Sequence, residues 1–143
     1  MSALADLAKP FAPRLVKTAA SGQHGDYVSH DAVTQKLLAV VGPFDFEVIE
    51  LIRDPEGRVD GCLARLTCVV DGRTVSVVEA GECDQVAQKK TNGERAKHAA
   101  SDAIKRCAMR LGCGLHLWAD DYFLHEVLVK QDEPDDDLDR PFT

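Results

Sequence analysis

The stretch that decides the fold is GERAKHAASDAIKRCAMRL, which runs from Gly93 to Leu111. Its apolar residues recur at helical spacing, and they are Ala96, Ala100, Ala103, Ile104, Cys107 and Leu111. Because a helix turns by about 100° per residue, these side chains fall on one arc and predict an amphipathic helix. Most of them are small. The sequence therefore predicts one long helix that lies close on a sheet.

The remaining circumference of this helix is largely basic. The segment from Val86 to Arg110 has only Glu94 and Asp102 as acids, and its basic residues are Lys89, Lys90, Arg95, Lys97, Lys105, Arg106 and Arg110. The whole chain has a net charge of −7, because acidic residues are concentrated between Asp132 and Thr143. Charge is thus segregated along the chain. Clustered cations favour phosphate binding, so the sequence predicts a helix that attracts nucleic acid.

Upstream of this helix the pattern predicts a further helix and three strands. Ser29 is a suitable N-cap for a first helix, roughly His30 to Val41. Strand-like runs follow at Phe44 to Arg53, Arg58 to Val70 and Thr74 to Ala80, with the hairpin signal Asp71-Gly72 between the last two. The predicted fold class is α+β: a helix, a three-stranded antiparallel β-meander, a long basic helix packed on the sheet, and a short C-terminal closing segment.

A chain of 143 residues has room for one compact domain. We expect an irregular N-terminal arm over residues 1–26, a core domain over 27–130 and a disordered acidic tail over 131–143. The alternate positions of the second strand form one predicted buried face, which is Cys62, Ala64, Leu66, Cys68 and Val70. No apolar run is long enough to cross a membrane and no secretion signal is present, so we expect a cytoplasmic protein with buried, unpaired cysteines.

Two segments carry a resemblance to a known family. The helix from Glu94 to Arg106, followed by Leu111-Gly112 and by WADDYFL at Trp118 to Leu124, resembles the signature of the Rad-fifty-two-type single-strand annealing proteins. That family includes eukaryotic recombination mediators and phage recombinases. The segment DYVSH, from Asp26 to His30, is similar to the family's tyrosine-containing segment before the first helix. The resemblance covers most of Tyr27 to Leu124, and indicates a minimal annealing core.

The resemblance implies a recombinase that binds single-stranded DNA and anneals complementary strands without ATP, in homologous recombination and DNA repair. It implies a homo-oligomer, a ring or a helical assembly, that holds one strand in a basic groove with its bases outward. No catalytic residue, cofactor or metal is implied, so the chain is not expected to be an enzyme. The compact chain suggests a phage gene, and hence the cytoplasm of a bacterial host.

The family's DNA-binding positions carry over residue by residue. Lys105 and Arg106 match the Lys-Arg pair that lines the family's DNA groove, and Lys97 matches a lysine earlier in the same helix. Lys89 and Lys90 fall in the corresponding basic loop. Together with the charge pattern, this gives the predicted DNA-binding residues Lys89, Lys90, Arg95, Lys97, Lys105, Arg106 and Arg110.

The sequence departs from the family pattern at two positions. A basic residue that the family places early in the first helix is matched to Ala32 here, so Lys36 or Arg65 would have to take its place. Arg110 comes one position later than the family's third arginine. One residue is a rotation of about 100° on a helix, so Arg110 is a weaker assignment than Lys105 and Arg106.

Other functions fit parts of the sequence. A double-stranded-RNA-binding module has its helices and strands in the same order, and it remains the main alternative. A magnesium-dependent nuclease would draw on Glu79, Glu82 or Asp120, although these do not form a complete site. A ring-forming scaffold without nucleic-acid binding is a third possibility. Asp102 lies four residues before Arg106 and is expected to pair with it, not to act in catalysis.

The acidic C-terminus suggests a partner of its own. The run DDDLDRPF, from Asp135 to Phe142, is similar to the acidic tails that bacterial single-strand-binding proteins use to recruit partners. Recruitment of host single-strand-binding or repair proteins is therefore one hypothesis. The other is a tail that solubilises the protein or mimics DNA.

Overall fold

The computed structural model describes residues 2–18, 25–84, 88 and 91–133. The N-terminal part has two α-helices, one 3-10 turn and two short strands: α1 (Ala3–Ala8), a 3-10 turn (Pro13–Leu15), β1 (Lys17–Thr18), β2 (Asp26–Tyr27) and α2 (His30–Val41). The rest comprises β3 (Asp45–Arg53), β4 (Val59–Val70), β5 (Arg73–Glu82), α3 (Asn92–Met109), a second 3-10 turn (Leu115–Leu117) and α4 (Leu124–Asp132). Strands β3, β4 and β5 form one antiparallel sheet with β4 in the centre. The predicted α+β fold is confirmed.

One face of strand β4 packs in the hydrophobic core. Its predicted buried face is confirmed, because Cys62, Ala64, Leu66, Cys68 and Val70 are all buried while the residues between them are more exposed. The turn from β4 to β5 has the predicted form. Asp71 and Gly72 have φ angles of 49° and 79°, the positive values that a tight two-residue hairpin requires. The sheet thus presents one apolar face to the helices.

Helix α3 lies across β4 and β5. It begins at Thr91, whose hydroxyl accepts a hydrogen bond from the Glu94 backbone N–H at 3.1 Å. Its buried side chains are Arg95, Ala99, Ala103, Ile104, Cys107 and Ala108. The predicted arc is therefore displaced, because Ala96 and Ala100 are only half-buried while Ala99 and Ala103 pack against Cys62 and Ala64. Alanines occur on several sides of this helix, so their spacing alone did not fix which of them face the sheet.

The expectation of an irregular N-terminal arm is wrong for residues 3–8. They form α1, which buries Ala5, Leu7 and Ala8, and Phe11 joins the same core. The Asp71 carboxylate at the hairpin tip accepts hydrogen bonds from the backbone N–H groups of Ala3 and Leu4 at 2.7 and 3.2 Å. These bonds satisfy N–H groups that a helix start leaves unpaired. The hairpin therefore holds α1 against the domain.

The cysteines lie in the protein core. All five cysteines are buried and unpaired, as predicted. Burial raises the pKa of the Cys107 and Cys113 thiols to about 11.

Within the described ranges, no helix has the length and apolar character that crossing a membrane demands. Helix α4 continues to Asp132, and residues 134–143 of the predicted acidic tail lie outside the described residues.

Candidate nucleic-acid interface

The outer side of α3 presents the two lysines that the sequence predicts there. Lys97 is exposed, and Lys105 follows eight positions later, partly exposed. With a rise of about 1.5 Å per residue, their backbones are about 12 Å apart along the helix axis. Lys97 has no ion-pair or hydrogen-bond partner for its side chain in the part of the chain that the structure describes. Its ammonium group is therefore available to an external anion.

Lys105 lies beside residues of the short N-terminal strands β1 and β2. Its ammonium nitrogen lies 5.7 Å from the centre of the Tyr27 ring. Tyr27 is in turn the direct antiparallel partner of Lys17 in the β1–β2 ladder. Directly paired residues project to the same face of a ribbon, so Lys17 lies beside the ring that Lys105 covers. Two lysines from distant parts of the chain thus flank one exposed tyrosine.

Arg106 forms a similar pair with Trp118. Its guanidinium carbon lies 5.1 Å from the centre of the indole, and Trp118 is 46% exposed. Its Nε donates to the Asp102 carboxylate at 3.1 Å, and that carboxylate also accepts the backbone N–H of Glu82 at 2.9 Å. The predicted Asp102–Arg106 ion pair is confirmed. Because a guanidinium has five N–H donors, the contact through Nε leaves the terminal N–H groups of Arg106 free for a further acceptor.

Consecutive residues of α3 therefore each place a cation over an exposed aromatic ring. Lys105 covers Tyr27 and Arg106 covers Trp118. Cation–π contacts hold both side chains near the surface without neutralising their charge. A phosphate can bind the cations, and an unpaired base can stack on a ring beside them. This cation–aromatic surface, defined as Lys17, Tyr27, Lys105, Arg106 and Trp118, has the chemistry of a single-stranded nucleic-acid site.

Two other predicted arginines lie apart from this surface. Arg95 is 9% exposed, and its guanidinium donates to the Asn92 side-chain oxygen at 3.2 Å. That oxygen also accepts the Val59 backbone N–H at 3.1 Å, so this network ties the start of α3 to β4. The prediction that Arg95 lies on the exposed side of the helix is wrong. Arg110 is exposed, but its Nε is paired with the Glu79 carboxylate at 2.5 Å.

The other basic residues considered for DNA binding do not lie beside Lys105 and Arg106 in the described structure. Lys89 and Lys90 lie outside the described residues. Arg65 pairs with Glu47 at 2.5 Å on the sheet face turned away from the helices, so it does not join α3. Lys36 lies in a separate cleft beside α1. The structure instead brings Lys17 next to Tyr27, over which Lys105 lies.

Sequence reasoning missed Lys17 because it assigned residues 1–26 to an irregular arm. Only the pairing of Lys17 with Tyr27 brings it to α3, and a two-residue ladder leaves almost no periodic signal. The tyrosine itself was part of the family-like segment from Asp26 to His30. The family-like segment thus indicated the tyrosine but not its pairing with Lys17.

Of the three acidic residues considered for a nuclease, Glu79 pairs with Arg110. Among residues 2–18, 25–84, 88 and 91–133, no three His, Cys, Asp or Glu side chains are grouped as metal ligands. The described residues therefore do not provide the metal-binding cluster that this nuclease would need.

The fold and this surface define a class: a small α+β protein whose long sheet-packed helix carries exposed cations against aromatic rings. Over residues 2–136 the chain matches a family described as Rad52/22 family double-strand break repair protein. The chain belongs to this Rad52/22 family, which supports a role in recombination and in the repair of double-strand breaks. The match begins at residue 2 and thus includes α1. A search of curated proteins gave no match.

Proposed function

We propose that this protein binds single-stranded DNA and anneals complementary strands without ATP, as the DNA-pairing component of double-strand break repair. The observation that carries the proposal is the pair of consecutive cations, Lys105 and Arg106, each lying over an exposed aromatic ring. Family membership supports a role in double-strand break repair. The cation–aromatic surface supports single-stranded DNA as the ligand, because cations alternating with aromatic rings suit a flexible single strand.

The proposed binding mode follows from which groups the surface offers. Lys17, Lys105 and Arg106 engage phosphates, which are the same for every sequence. Tyr27 and Trp118 offer ring faces, on which any base can stack. Because these contacts are to phosphates and to ring faces, we expect binding to be sequence-tolerant. Three phosphates neutralised per subunit correspond to a log-log salt slope of about −2.

Annealing also needs a scaffold that keeps one strand extended, and we propose that a homo-oligomer supplies it. Strand β3 lies at the edge of the sheet, and its large apolar side chains Val48, Ile49, Leu51 and Ile52 are 38–44% exposed. An exposed apolar edge strand is a ready template for pairing with another chain. A second copy on this edge would continue the α3 surfaces from subunit to subunit. The proposed site of action is the cytoplasm, and the acidic C-terminal residues either recruit host repair proteins or solubilise the protein.

The test of the proposed function is a competition among nucleic acids. Purified protein is titrated into labelled single-stranded DNA, duplex DNA and duplex RNA at several salt concentrations, and its mass is measured in parallel. Single-stranded DNA should bind most tightly, with a clear salt slope, and complementary oligonucleotides should anneal faster in the presence of chelator. Preference for duplex RNA would instead assign the protein to the double-stranded-RNA-binding modules, which read A-form shape.

Trp118 gives a direct probe of the site, because it is the chain's single tryptophan. Its fluorescence should change when single-stranded DNA binds, since the indole lies beside Arg106. Trp118→Ala should weaken binding about tenfold, as expected for the loss of one stacked base. Trp118→Phe, which keeps a ring face, should retain most of the affinity. Equal affinities for the Ala and Phe variants would exclude Trp118 from the binding site.

A further inference from the structure

A second group of cations converges on a cleft between the N-terminal segment and α2. The cleft has a volume of about 360 Å³, and its basic lining residues are Lys9, Arg14 and Lys36. They come from different elements: Lys9 is the C-cap of α1, Arg14 lies in the first 3-10 turn and Lys36 lies in α2. Pro10, Phe11 and Leu15 form its apolar part.

These cations lack anionic partners. In the described structure neither Lys9 nor Arg14 makes a side-chain hydrogen bond or an ion pair, and both are exposed. The Lys36 ammonium donates to the Lys9 carbonyl oxygen and lies 4.5 Å from the centre of the Phe11 ring. Its partial burial lowers the pKa of Lys36. Three positive groups that share one cleft repel each other, and a bound anion relieves that repulsion.

The cleft lies close in the chain to the cation–aromatic surface. Arg14 precedes Lys17 by three residues, so their α-carbons are at most about 11 Å apart along the chain. Lys17 is paired with Tyr27, over which Lys105 lies. Arg14 at the cleft is therefore near Lys17 of β1, which shares Tyr27 with Lys105 of α3. The exposed residues between them belong to the short N-terminal ribbon and the 3-10 turn.

We propose that the cleft lined by Lys9, Arg14 and Lys36 is a further phosphate-binding site, which extends the path of a bound DNA strand from α3 to the N-terminal segment. The inference rests on the proposed function, and it adds Lys9 and Arg14, which neither the helix pattern nor the family resemblance indicated. Lys9 and Arg14 contact successive phosphates at the cleft rim. Lys36, held by the Lys9 carbonyl and the Phe11 ring, supplies a fixed positive charge beneath them.

A DNA strand is a better occupant than a protein segment because the cleft lies near Lys17 and Lys105. Arg14, Lys17 and Lys105 supply three positive charges to this part of the molecule, against the single carboxylate of Asp26 in the β1–β2 ribbon. The acidic C-terminal residues are a competing occupant of matching charge, and they are distinguished by experiment. If DNA occupies the cleft, substitutions in the cleft change the salt dependence of DNA binding. If the acidic C-terminal residues occupy it, the same substitutions leave that salt dependence unchanged.

The test compares two double variants of the full chain with the same change in charge. Lys9→Glu/Arg14→Glu alters the cleft, and Arg73→Glu/Lys130→Glu alters exposed residues elsewhere, which make no ion pair among the described residues. Affinity for single-stranded DNA is measured at several salt concentrations. The cleft variant should lose at least tenfold in affinity, and its log-log salt slope should be shallower by about 1.4, the value for two phosphates. The control should keep a slope close to that of the unmodified protein.

The possible failures are distinguishable. If the unmodified protein shows no salt-dependent binding to single-stranded DNA, the proposed function fails, and this inference fails with it. If it binds and the cleft variant has the same slope, only the inference is overturned. A peptide of residues 133–143 that binds the unmodified protein but not the cleft variant, with an unchanged DNA slope, would assign the cleft to the acidic tail and also overturn it. Lys36→Met, which keeps the packing, should reproduce part of the loss.

Discussion

Replacing Lys105 and Arg106 together by glutamine should lower the affinity for single-stranded DNA at least a hundredfold. Each residue is expected to make a charge-assisted hydrogen bond to a phosphate, and such bonds contribute about 1.5–3 kcal/mol each. Loss of both corresponds to roughly 3–6 kcal/mol, and a hundredfold corresponds to about 2.7 kcal/mol. Glutamine keeps much of the side-chain length and favours helices. The helix itself should therefore be retained.

The measurement is an anisotropy titration with a labelled oligonucleotide at fixed salt, repeated for the annealing rate. The matched control is Arg73→Gln/Lys130→Gln, which removes the same charge from exposed positions on β5 and α4. Loss of the Asp102–Arg106 pair costs only about 0.5 kcal/mol of stability, so the variant should stay folded and oligomeric. If the variant binds within threefold of the unmodified protein, α3 is not the DNA-binding surface and the ring-forming scaffold becomes the better interpretation.

The elements with a strong periodic signal were predicted closely. The predicted first helix, His30 to Val41, has the same bounds as α2. The alternation of β4 and the turn at Asp71-Gly72 fixed the meander, because each of these signals depends on only a few neighbouring residues. Local patterns were sufficient here. The sheet and the long helix together position the site.

The site itself was predicted only in part, and the reason is that it depends on long-range pairing. Lys105 and Arg106 were found because both lie on the helix that carried the pattern. Lys17 joins them only through its pairing with Tyr27, and no local signal indicates that pairing. Arg95 shows the opposite error. It has the charge of a DNA-binding residue, but the Asn92–Val59 hydrogen bond places its helical turn against β4.

Gly81 of β5 sets the distance between α3 and the sheet, and an added Cβ would meet closer atoms there than at any other described glycine. A Cβ built on Gly81 would lie 2.1 Å from the Ala99 carbonyl oxygen and 2.6 Å from the Ala103 backbone nitrogen. Both are helix backbone atoms, which cannot turn aside as a flexible side chain does. A methyl group at this position therefore forces α3 away from β5. This would also open the contacts of Ala99 and Ala103 with β4.

Gly81→Ala should accordingly destabilise the protein by about 3 kcal/mol, the upper part of the range for overpacked cores. For a chain of this size we expect the melting temperature to fall by roughly 10 °C. Gly93→Ala is the matched control. A Cβ there would meet only the Thr91 hydroxyl oxygen at 3.8 Å, and alanine is the better helix former, so this variant should be unchanged or more stable by about 0.5–1 kcal/mol.

The stabilities of the Gly81→Ala and Gly93→Ala variants are compared with that of the unmodified protein by thermal and denaturant unfolding. A Gly81→Ala protein as stable as the unmodified one would mean that α3 does not approach β5 this closely in solution. The same displacement has a functional consequence, because Lys105 and Arg106 are carried by α3 whereas Tyr27 and Lys17 are carried by the β1–β2 ribbon. Moving the helix separates the two halves of the cation–aromatic surface. Any Gly81→Ala protein that remains folded should therefore also bind single-stranded DNA more weakly, while Gly93→Ala should bind normally.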